Sequence, residues 1–426
     1  MSKKKHPRRG QKRQTREPAV SYDTAVQAYE SGQLLKAKRT VIALLKSTPN
    51  HIDARVLLAR IFARTQDFER SQTHLQKAIE MAPETAQLRV NLGEVLYQAG
   101  KQPEAIKALR SAYALDTTHL QTLDGLSSLL FEQARTQRSA QLWIEARLYL
   151  ERYCTLAPQN IAKRRILAEC YDREGAVEKR VAMLREILAL APDDATTRHL
   201  LAGAVGGHGV ETADVGYVRD VFDSVAHRYD TELVDNLNYQ VPSEVRQCLD
   251  EIVPDSEVLD RVLDLGCGTG LVADAIRDRC KSLIGVDISS QMIAQAETKG
   301  RYDGLTVATL EAYLAESTET YDLIIAADVL LYIGALDEVF GLVHHRLTEN
   351  GLFIFSTELL SEDGYQLRSS GRFAHSRRYI HGLTESRGFQ QVFEKHLDLR
   401  MEGTSQVSGA LYAFRPSSRV EISPPS

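Results

Sequence analysis

Three glycines spaced two residues apart are the part of this 426-residue sequence most suggestive of chemistry. Gly266, Gly268 and Gly270 follow an apolar run, residues 261–265, and precede a helix-like stretch that begins at Leu271. A strand, a tight glycine turn and a helix N-terminus together suit a nucleotide-type ligand, because no Cβ keeps the ligand from the backbone. The spacing is GxGxG, whereas a dinucleotide site has GxGxxG.

An acidic residue at the end of the next apolar run favours the same class of ligand. Asp287 stands seventeen residues after Gly270 and closes the apolar run that starts at Leu283. A carboxylate at the end of a second strand is well placed to accept hydrogen bonds from a ribose diol. Since no pyrophosphate site is evident, a nucleotide-dependent oxidoreductase is disfavoured.

Residues from about 217 to 416 resemble a class I S-adenosylmethionine (SAM)-dependent methyltransferase, and residues 263–270 match the first motif of that family. The resemblance implies a Rossmann-like α/β domain with a seven-stranded, mostly parallel sheet, an antiparallel last strand and SAM as the cofactor. Alternating strand and helix signals agree with this fold class. The strands are predicted at residues 262–265, 282–287, 305–309, 323–327, 351–357, about 391–400 and 407–414.

The resemblance also assigns residues to the cofactor. Asp264 would orient the glycine loop and the methionine moiety, while Ile288 and Leu310 would enclose the adenine. The family usually has an Asp at the end of strand three, where this chain has Thr309, so Glu311 or a backbone carbonyl would take its place. The resemblance implies that the helix before Tyr229 closes over the cofactor as a lid; a simple core helix is the alternative. The predicted cofactor-binding residues are Tyr229, Asp264, Gly266, Cys267, Gly268, Thr269, Gly270, Asp287, Ile288, Leu310, Glu311 and Asp328.

Methyl transfer mainly requires alignment of donor and acceptor and exclusion of water, so a strong base is optional. Asp328 and Tyr332 follow strand four, where the family places sulfonium and acceptor; the alternative is that Asp328 caps a helix. Tyr332 and His375 are the predicted catalytic residues, and Arg372 and Tyr379 the predicted substrate contacts. The phrase that holds His375 is similar to one in bacterial TPR-linked predicted methyltransferases. A surface or helix-capping role for His375 is the alternative.

Four prolines mark a repeat in the N-terminal half. Pro49, Pro83, Pro158 and Pro192 are separated by 34, 75 and 34 residues, and 75 is two such periods plus seven residues. This 34-residue period with helical patterning resembles tetratricopeptide (TPR) repeats, which form an α-solenoid. Five repeats and a capping helix are predicted. TPR arrays usually bind a peptide or protein in their groove; a rigid spacer or a dimerisation surface is the alternative.

Composition shifts give the domain boundaries. We predict a disordered basic tail (1–18), a TPR domain (19–205), a glycine-rich linker (206–215), a methyltransferase domain (216–416) and a disordered C-terminal tail (417–426). Residues 1–16 hold eight Lys and Arg and no acidic residue, so this tail is the one part expected to reach nucleic acid or acidic lipid. A solvated tail without a partner is the alternative.

The five cysteines form no CxxC pair, and no apolar run could span a bilayer. We therefore expect a cytoplasmic protein without a metal site, a disulfide framework or a membrane span. The overall hypothesis is a SAM-dependent methyltransferase whose TPR array recruits a protein partner or substrate, the acceptor being a protein or a small metabolite. The alternative is an inactive TPR scaffold with a degenerate SAM-binding domain.

Overall fold

The structure is a computed structural model, and the chain falls into two compact units, residues 1–163 and 164–426. The predicted tail of residues 1–18, and residues 418–426 of the predicted C-terminal tail, lie outside the described residues. The structure describes residues 21–207, 209–230, 239–254, 256–402 and 405–417.

The first unit consists of antiparallel helical hairpins. Small residues lie where the helices cross, and a Cβ on Gly93 would stand 2.9 Å from Leu109 Cγ. Gly32 and Gly100 adopt φ values of +75° and +74° in the turns between paired helices, a conformation that favours glycine. The helices are α1 (Tyr22–Glu30), α2 (Leu34–Ser47), α3 (Ile52–Arg64), α4 (Phe68–Met81), α5 (Ala86–Gln98), α6 (Gln102–Leu115), α7 (Leu120–Gln137) and α8 (Ala140–Leu156).

The second unit begins with the last helical hairpin and continues into an α/β domain. Its helices are α9 (Ile161–Arg173, shared with the first unit at its start), α10 (Val177–Leu190), α11 (Ala195–Ala204), α12 (Val215–Val225), α13 (Val241–Ile252), α14 (Leu271–Ile276), α15 (Ser290–Lys299), α16 (Leu310–Glu316), α17 (Asp337–Arg346) and α18 (Arg377–Ser386). The predicted pattern of five helical pairs followed by one capping helix is thus present in α1–α11. Each of the four prolines follows the second helix of its pair by two residues.

One sheet organises the α/β domain. Its strands are β1 (Leu259–Leu265), β2 (Cys280–Asp287), β3 (Gly304–Val307), β4 (Tyr321–Ala326), β5 (Leu347–Leu360), β6 (Tyr365–Leu367), β7 (Phe373–Ser376), β8 (Phe389–Glu402) and β9 (Ser405–Pro416). Strands β3, β2, β1, β4 and β5 are parallel neighbours in that order. As predicted, the last strand, β9, runs antiparallel to its neighbours β5 and β8.

The described part of the sheet has nine strands rather than the predicted seven. The additional strands are β6 and β7, which lie between the predicted strands at residues 351–357 and about 391–400. They form because β5 continues past the end of β4, and β7 pairs with its residues 358–360. With three and four residues, β6 and β7 are too short to show the alternation from which a strand is predicted.

Alternate residues of the central strands enter two hydrophobic clusters. Leu263 and Phe353 belong to one cluster, whereas their chain neighbours Val262 and Leu352 belong to the other. Successive side chains of a strand point to opposite faces of the sheet, so both faces are covered. This burial explains the uninterrupted apolar stretches in β4 and β5, at residues 323–326 and 352–355.

Residues of the predicted linker pack against the α/β domain. The Ala213 N–H donates to the Tyr332 carbonyl at 2.9 Å, and the Gly334 N–H donates to the Glu211 carbonyl at 2.8 Å. A Cβ on Gly207, whose φ is +65°, would stand 2.4 Å from the Leu367 carbonyl oxygen. The glycines therefore permit a close approach between backbones here, in place of the flexible joint expected from their number.

Candidate functional site

The glycine loop connects β1 to α14 and lies directly against β2. The N–H groups of Gly266 and Cys267 donate to the Val286 carbonyl at 2.8 and 3.0 Å, which ties the start of the loop to the neighbouring strand. Gly266 has φ of +67°, and a Cβ there would stand 2.6 Å from Val329. Gly268 and Gly270 also have positive φ, so all three glycines occupy a conformation that other residues rarely adopt.

Asp287 holds this loop from the end of β2. Its Oδ2 accepts the Gly268 N–H at 2.9 Å, and its Oδ1 accepts the Ser289 N–H at 2.8 Å. An ionised carboxylate has about four lone-pair sites, so about two remain for a ligand. The side chain is 8% exposed, and burial raises the pKa of Asp287 while the two backbone N–H groups oppose that rise.

A cavity opens beside the loop at the carboxyl ends of β1, β2 and β4. It is lined by Thr212, Ala213, Val215, Val218, Phe222, Tyr229, Gly266, Gly268, Val286, Asp287, Ile288, Ala308, Thr309, Leu310, Glu311, Ala327, Asp328, Val329, Tyr332 and Ile333. Nine of the predicted site residues are in this set: Tyr229, Gly266, Gly268, Asp287, Ile288, Leu310, Glu311, Asp328 and Tyr332. Residues far apart in sequence thus meet where an open α/β sheet binds its ligands.

The chain from α12 to Asp230 covers one side of this cavity. The Ser289 hydroxyl, at the N-terminus of α15, donates to Asp223 at 2.5 Å. Lys299 Nζ lies 2.7 Å from Asp230 Oδ2, and the other oxygen of this carboxylate, Oδ1, accepts from the Thr269 hydroxyl of the glycine loop. These contacts attach the predicted lid helix to α15 and to the loop. Burial, together with the nearby Tyr332, raises the pKa of Tyr229 far above its ordinary value.

Four of the predicted cofactor-binding residues, one at the end of β1 and three in the glycine loop, do not line the cavity. Asp264 is 1% exposed and accepts the Tyr302 hydroxyl at 2.7 Å, and burial raises its pKa to about 7. Its position agrees with orienting the loop, but it places the carboxylate on Tyr302 instead of on a ligand. Cys267, Thr269 and Gly270 are likewise absent from the cavity lining. The hydroxyl of Thr309, which replaces the family's usual Asp, accepts the Ala312 N–H and caps α16.

Asp328 belongs to a network of buried and partly buried charges that was not predicted from the sequence. Its Oδ2 accepts from Arg400 Nη1 at 3.1 Å, its Oδ1 accepts from the Ser356 hydroxyl at 3.0 Å, and its N–H donates to the same hydroxyl at 2.8 Å. Its φ is +54°, which is uncommon for a residue other than glycine. Burial raises the pKa of Asp328 although Arg400 opposes the rise. Asp328 thus lines the cavity, and its carboxylate contacts Ser356 and Arg400 instead of capping a described helix, as the alternative had it.

Glu358 closes this network at the end of β5. It is 1% exposed and is contacted by Arg400 and, at 2.7 Å, by Arg372 Nε. Burial alone would raise the pKa of Glu358, but Arg372 and Arg400 outweigh it, and the pKa lies below its usual value. One sequence signal was available: Glu358 is the one charged residue in the second part of β5, residues 352–360.

The predicted acceptor-side residues His375, Arg372 and Tyr379 do not line the cavity. His375 is fully buried in β7, and its Nε2–H donates to the carbonyls of Ile333 and Gly334 at 2.9 and 3.1 Å. Burial lowers the pKa of His375 to about 4, because the charged imidazolium would lose its hydration. His375 is therefore a buried strand residue bound to backbone carbonyls, which disagrees with its predicted catalytic role and also with the surface alternative.

Arg372 and Tyr379 also support structure around the site. Arg372 contacts Glu358, as described above, and the Tyr379 hydroxyl accepts the Leu336 N–H at 2.9 Å.

In the part of the chain that the structure describes, no group of three or more His, Cys, Asp or Glu side chains could hold a metal ion. Likewise, none of the described helices is both long and apolar enough to cross a bilayer.

Comparison with known proteins agrees with this geometry. Residues 237–399 match the family model of a methyltransferase domain, and residues 57–119 match that of a tetratricopeptide repeat. The chain is 34% identical over 132 residues to methyltransferase-like protein 27 of Homo sapiens, covering 31% of this chain and 51% of that protein. It is 29% identical over 99 residues to a malonyl-[acyl-carrier protein] O-methyltransferase of Bacillus anthracis, covering 23% of this chain and 37% of that protein.

The chain thus spans about half, or less, of the length of these curated relatives. Among solved structures, the chain is similar to the N-methyltransferase NodS from Bradyrhizobium japonicum WM9. The two chains are 18% identical with a TM-score of 0.39, and the similarity covers 47% of this chain and 98% of that chain. The predicted fold class, helical repeats followed by a Rossmann-like domain with a mostly parallel sheet, is confirmed. The C-terminal part of this chain is a methyltransferase domain, and its N-terminal part carries tetratricopeptide repeats.

Proposed function

We propose that this protein is a SAM-dependent methyltransferase whose TPR array recruits a protein partner or substrate. The observation that carries the proposal is Asp287, a buried carboxylate that holds the glycine loop with two backbone hydrogen bonds and still faces the cavity. Its free lone pairs match the two hydroxyls of a ribose.

The other cavity residues fit the remaining parts of the cofactor. Ile288 and Leu310 provide apolar surface for the adenine, and Gly266 and Gly268 leave room beside the backbone for the methionine moiety. When bound, SAM supplies a methyl group that is already activated on a sulfonium. The chain's own part is to bind and orient donor and acceptor and to exclude water, which α12 and Tyr229 do by covering the cavity.

Asp328 and Tyr332 are the polar side chains at the acceptor end of this proposal. Arg400 and Ser356 occupy both carboxylate oxygens of Asp328, so its orientation is set before any acceptor enters. Burial, opposed by Arg372, raises the pKa of Tyr332 well above its ordinary value, so its hydroxyl stays protonated and can donate a hydrogen bond at neutral pH. The acceptor is a protein side chain or a small metabolite.

Titration calorimetry with SAM tests the proposal. The full chain should bind SAM, and Asp287→Ala should weaken binding by about 10–100-fold, the loss expected when hydrogen bonds to a charged group are removed. Asp303→Ala is the matched control: Asp303 also accepts a backbone N–H of β2, from Leu283 at 2.8 Å, but lies outside the cavity. Unchanged SAM affinity in a folded Asp287→Ala variant would argue strongly against this site.

One observation favours a second function, an inactive scaffold that only senses the cofactor. Thr309 replaces an acidic residue, and its hydroxyl is committed to the Ala312 N–H, which leaves Glu311 and backbone carbonyls for adenine recognition. Incubating the full chain with labelled SAM and cell extract distinguishes the two functions. Labelled product that is absent with Asp287→Ala would exclude the scaffold.

A further inference from the structure

The first helices of successive hairpins form a polar groove in the first unit. Among its lining residues are Tyr29 of α1, Arg60 and Arg64 of α3, Asn91 of α5 and Gln121 of α7. The groove therefore crosses four helices with arginine, tyrosine and carboxamide groups, and it lies entirely within the TPR unit. From this groove we infer the chemistry of the partner that the array recruits, an inference that rests on the recruitment part of the proposed function.

Two arginines at this groove share one aromatic ring. The guanidinium carbons of Arg60 and Arg64 both lie 5.2 Å from the centre of the Tyr29 ring. They stand one helical turn apart, so their like charges repel each other. Within the described residues, neither arginine has a carboxylate at ion-pair distance, and the one acidic side chain that lines the groove is Glu94.

Glu94 compensates only part of this charge. Its pKa is raised by partial burial, and the charge of Arg60 opposes that rise, so the two side chains sense each other without forming an ion pair. The lining side chains carry two positive charges and one negative charge, which leaves one positive charge without a counterpart. An incoming carboxylate would relieve the repulsion between the arginines and could accept from a guanidinium fork in bidentate fashion.

Carboxamides continue the groove beyond the arginines. Gln87, Asn91 and Gln98 recur on one face of α5, and Gln87 Nε2 donates to Asn91 Oδ1 at 3.0 Å. A carboxamide both donates and accepts hydrogen bonds, which matches the N–H and C=O groups of an extended peptide. From Gln87 to Gln98 the helix rises about 16 Å, a distance that about five extended residues span.

We propose that this groove binds an extended peptide segment through an internal Asp or Glu side chain held by Arg60 and Arg64. The carboxamides of α5 and the Gln121 side chain pair with the peptide backbone without reading its sequence. Glu94 disfavours a single-stranded RNA, whose closely spaced phosphates would lie against this carboxylate. Acidic character with little other sequence preference is therefore the expected signature of the partner.

Selection of random linear peptides, displayed on phage and captured by the full-length protein, tests this inference. Enriched peptides should be rich in Asp and Glu. A C-terminally amidated synthetic copy should bind at least about tenfold more weakly to Arg60→Gln/Arg64→Gln, since charge-assisted hydrogen bonds are lost. Lys36→Gln/Arg39→Gln is the matched control, because it removes two exposed charges from α2 outside the groove.

Several outcomes would overturn the inference: no enrichment, enrichment of neutral or basic peptides, equal binding to the groove double variant, or a requirement for a free C-terminal carboxylate. Binding of a labelled single-stranded RNA in place of peptides, lost in the same double variant, would overturn it too. Circular dichroism confirms that each variant is folded. SAM titration of the same samples separates the two proposals, because failure of peptide binding with intact SAM binding removes only the groove assignment.

Discussion

At the level of single residues, burial determines what His375 can do. Its Nε2–H is committed to two backbone carbonyls, and its Nδ1 is buried without a hydrogen-bond partner among the described residues. Because burial lowers its pKa to about 4, His375 is neutral at physiological pH and carries no charge to the site. Its hydrogen bonds to the Ile333 and Gly334 carbonyls connect β7 to the segment after β4 and fix the backbone that follows Tyr332.

This pKa predicts a dependence of stability on pH. Between about pH 6.5 and about pH 4, the unfolded chain binds a proton at this imidazole that the folded chain does not bind, so stability is lost as the pH falls. The full contribution is about 3 kcal/mol. Urea unfolding of the wild type and of His375→Gln should therefore show a smaller loss of stability on acidification in the variant.

His345→Gln, which removes an exposed imidazole in the same way, serves as the control. If the wild type and His375→Gln lose the same free energy of unfolding between neutral pH and about pH 4, the buried, neutral state of His375 is wrong.

At the level of elements, β5 carries the charge network because it extends past β4. Its first part pairs with β4, and its last part brings Glu358 between β9 and β7. Glu358→Gln would leave the partly buried Arg372 and Arg400 without the buried carboxylate that they share, and loss of one partner from a buried ion pair costs about 3–5 kcal/mol. Chemical denaturation should show this loss.

Glu349→Gln is a matched control on the same strand, because Glu349 is exposed and should change stability by less than about 0.5 kcal/mol. Equal stability of both variants would mean that Glu358 has no net role in holding the end of β5.

The sequence predicted those parts of the site that local pattern determines. The glycine loop, Asp287 and Ile288 lie in or directly after apolar runs, so their place at strand ends follows from the chain itself. The contact between Arg400 and Asp328 depends on the pairing of β8 with β9 and of β9 with β5, which no local pattern specifies. His375 was misplaced for the same reason, since β7 exists only where β5 offers it a free edge.

At the level of the whole molecule, the end of the helical array and the α/β domain form one compact unit. Arg180 Nη2 of α10 donates to the Ser369 carbonyl at 2.7 Å, and His199 Nε2–H of α11 donates to the Gly371 carbonyl at 2.9 Å. Gly203 approaches so closely that a Cβ would stand 2.3 Å from the Arg368 carbonyl oxygen. The predicted boundary at residues 205/206 would therefore cut through packed structure.

Two fragments test where the C-terminal domain begins. Residues 161–426 keep α9–α11, whereas residues 206–426 lose them and leave the carbonyls of Ser369 and Gly371 without these donors. Each lost buried partner costs about 1–3 kcal/mol, so the shorter fragment should be less stable by about 2–6 kcal/mol in denaturant titrations. Within the longer fragment, Gly203→Ala should destabilise through its clash, whereas Gly382→Ala, with nothing within 4 Å of its Cβ, should not. Equal stability of the two fragments would place the last helical pair outside the methyltransferase fold.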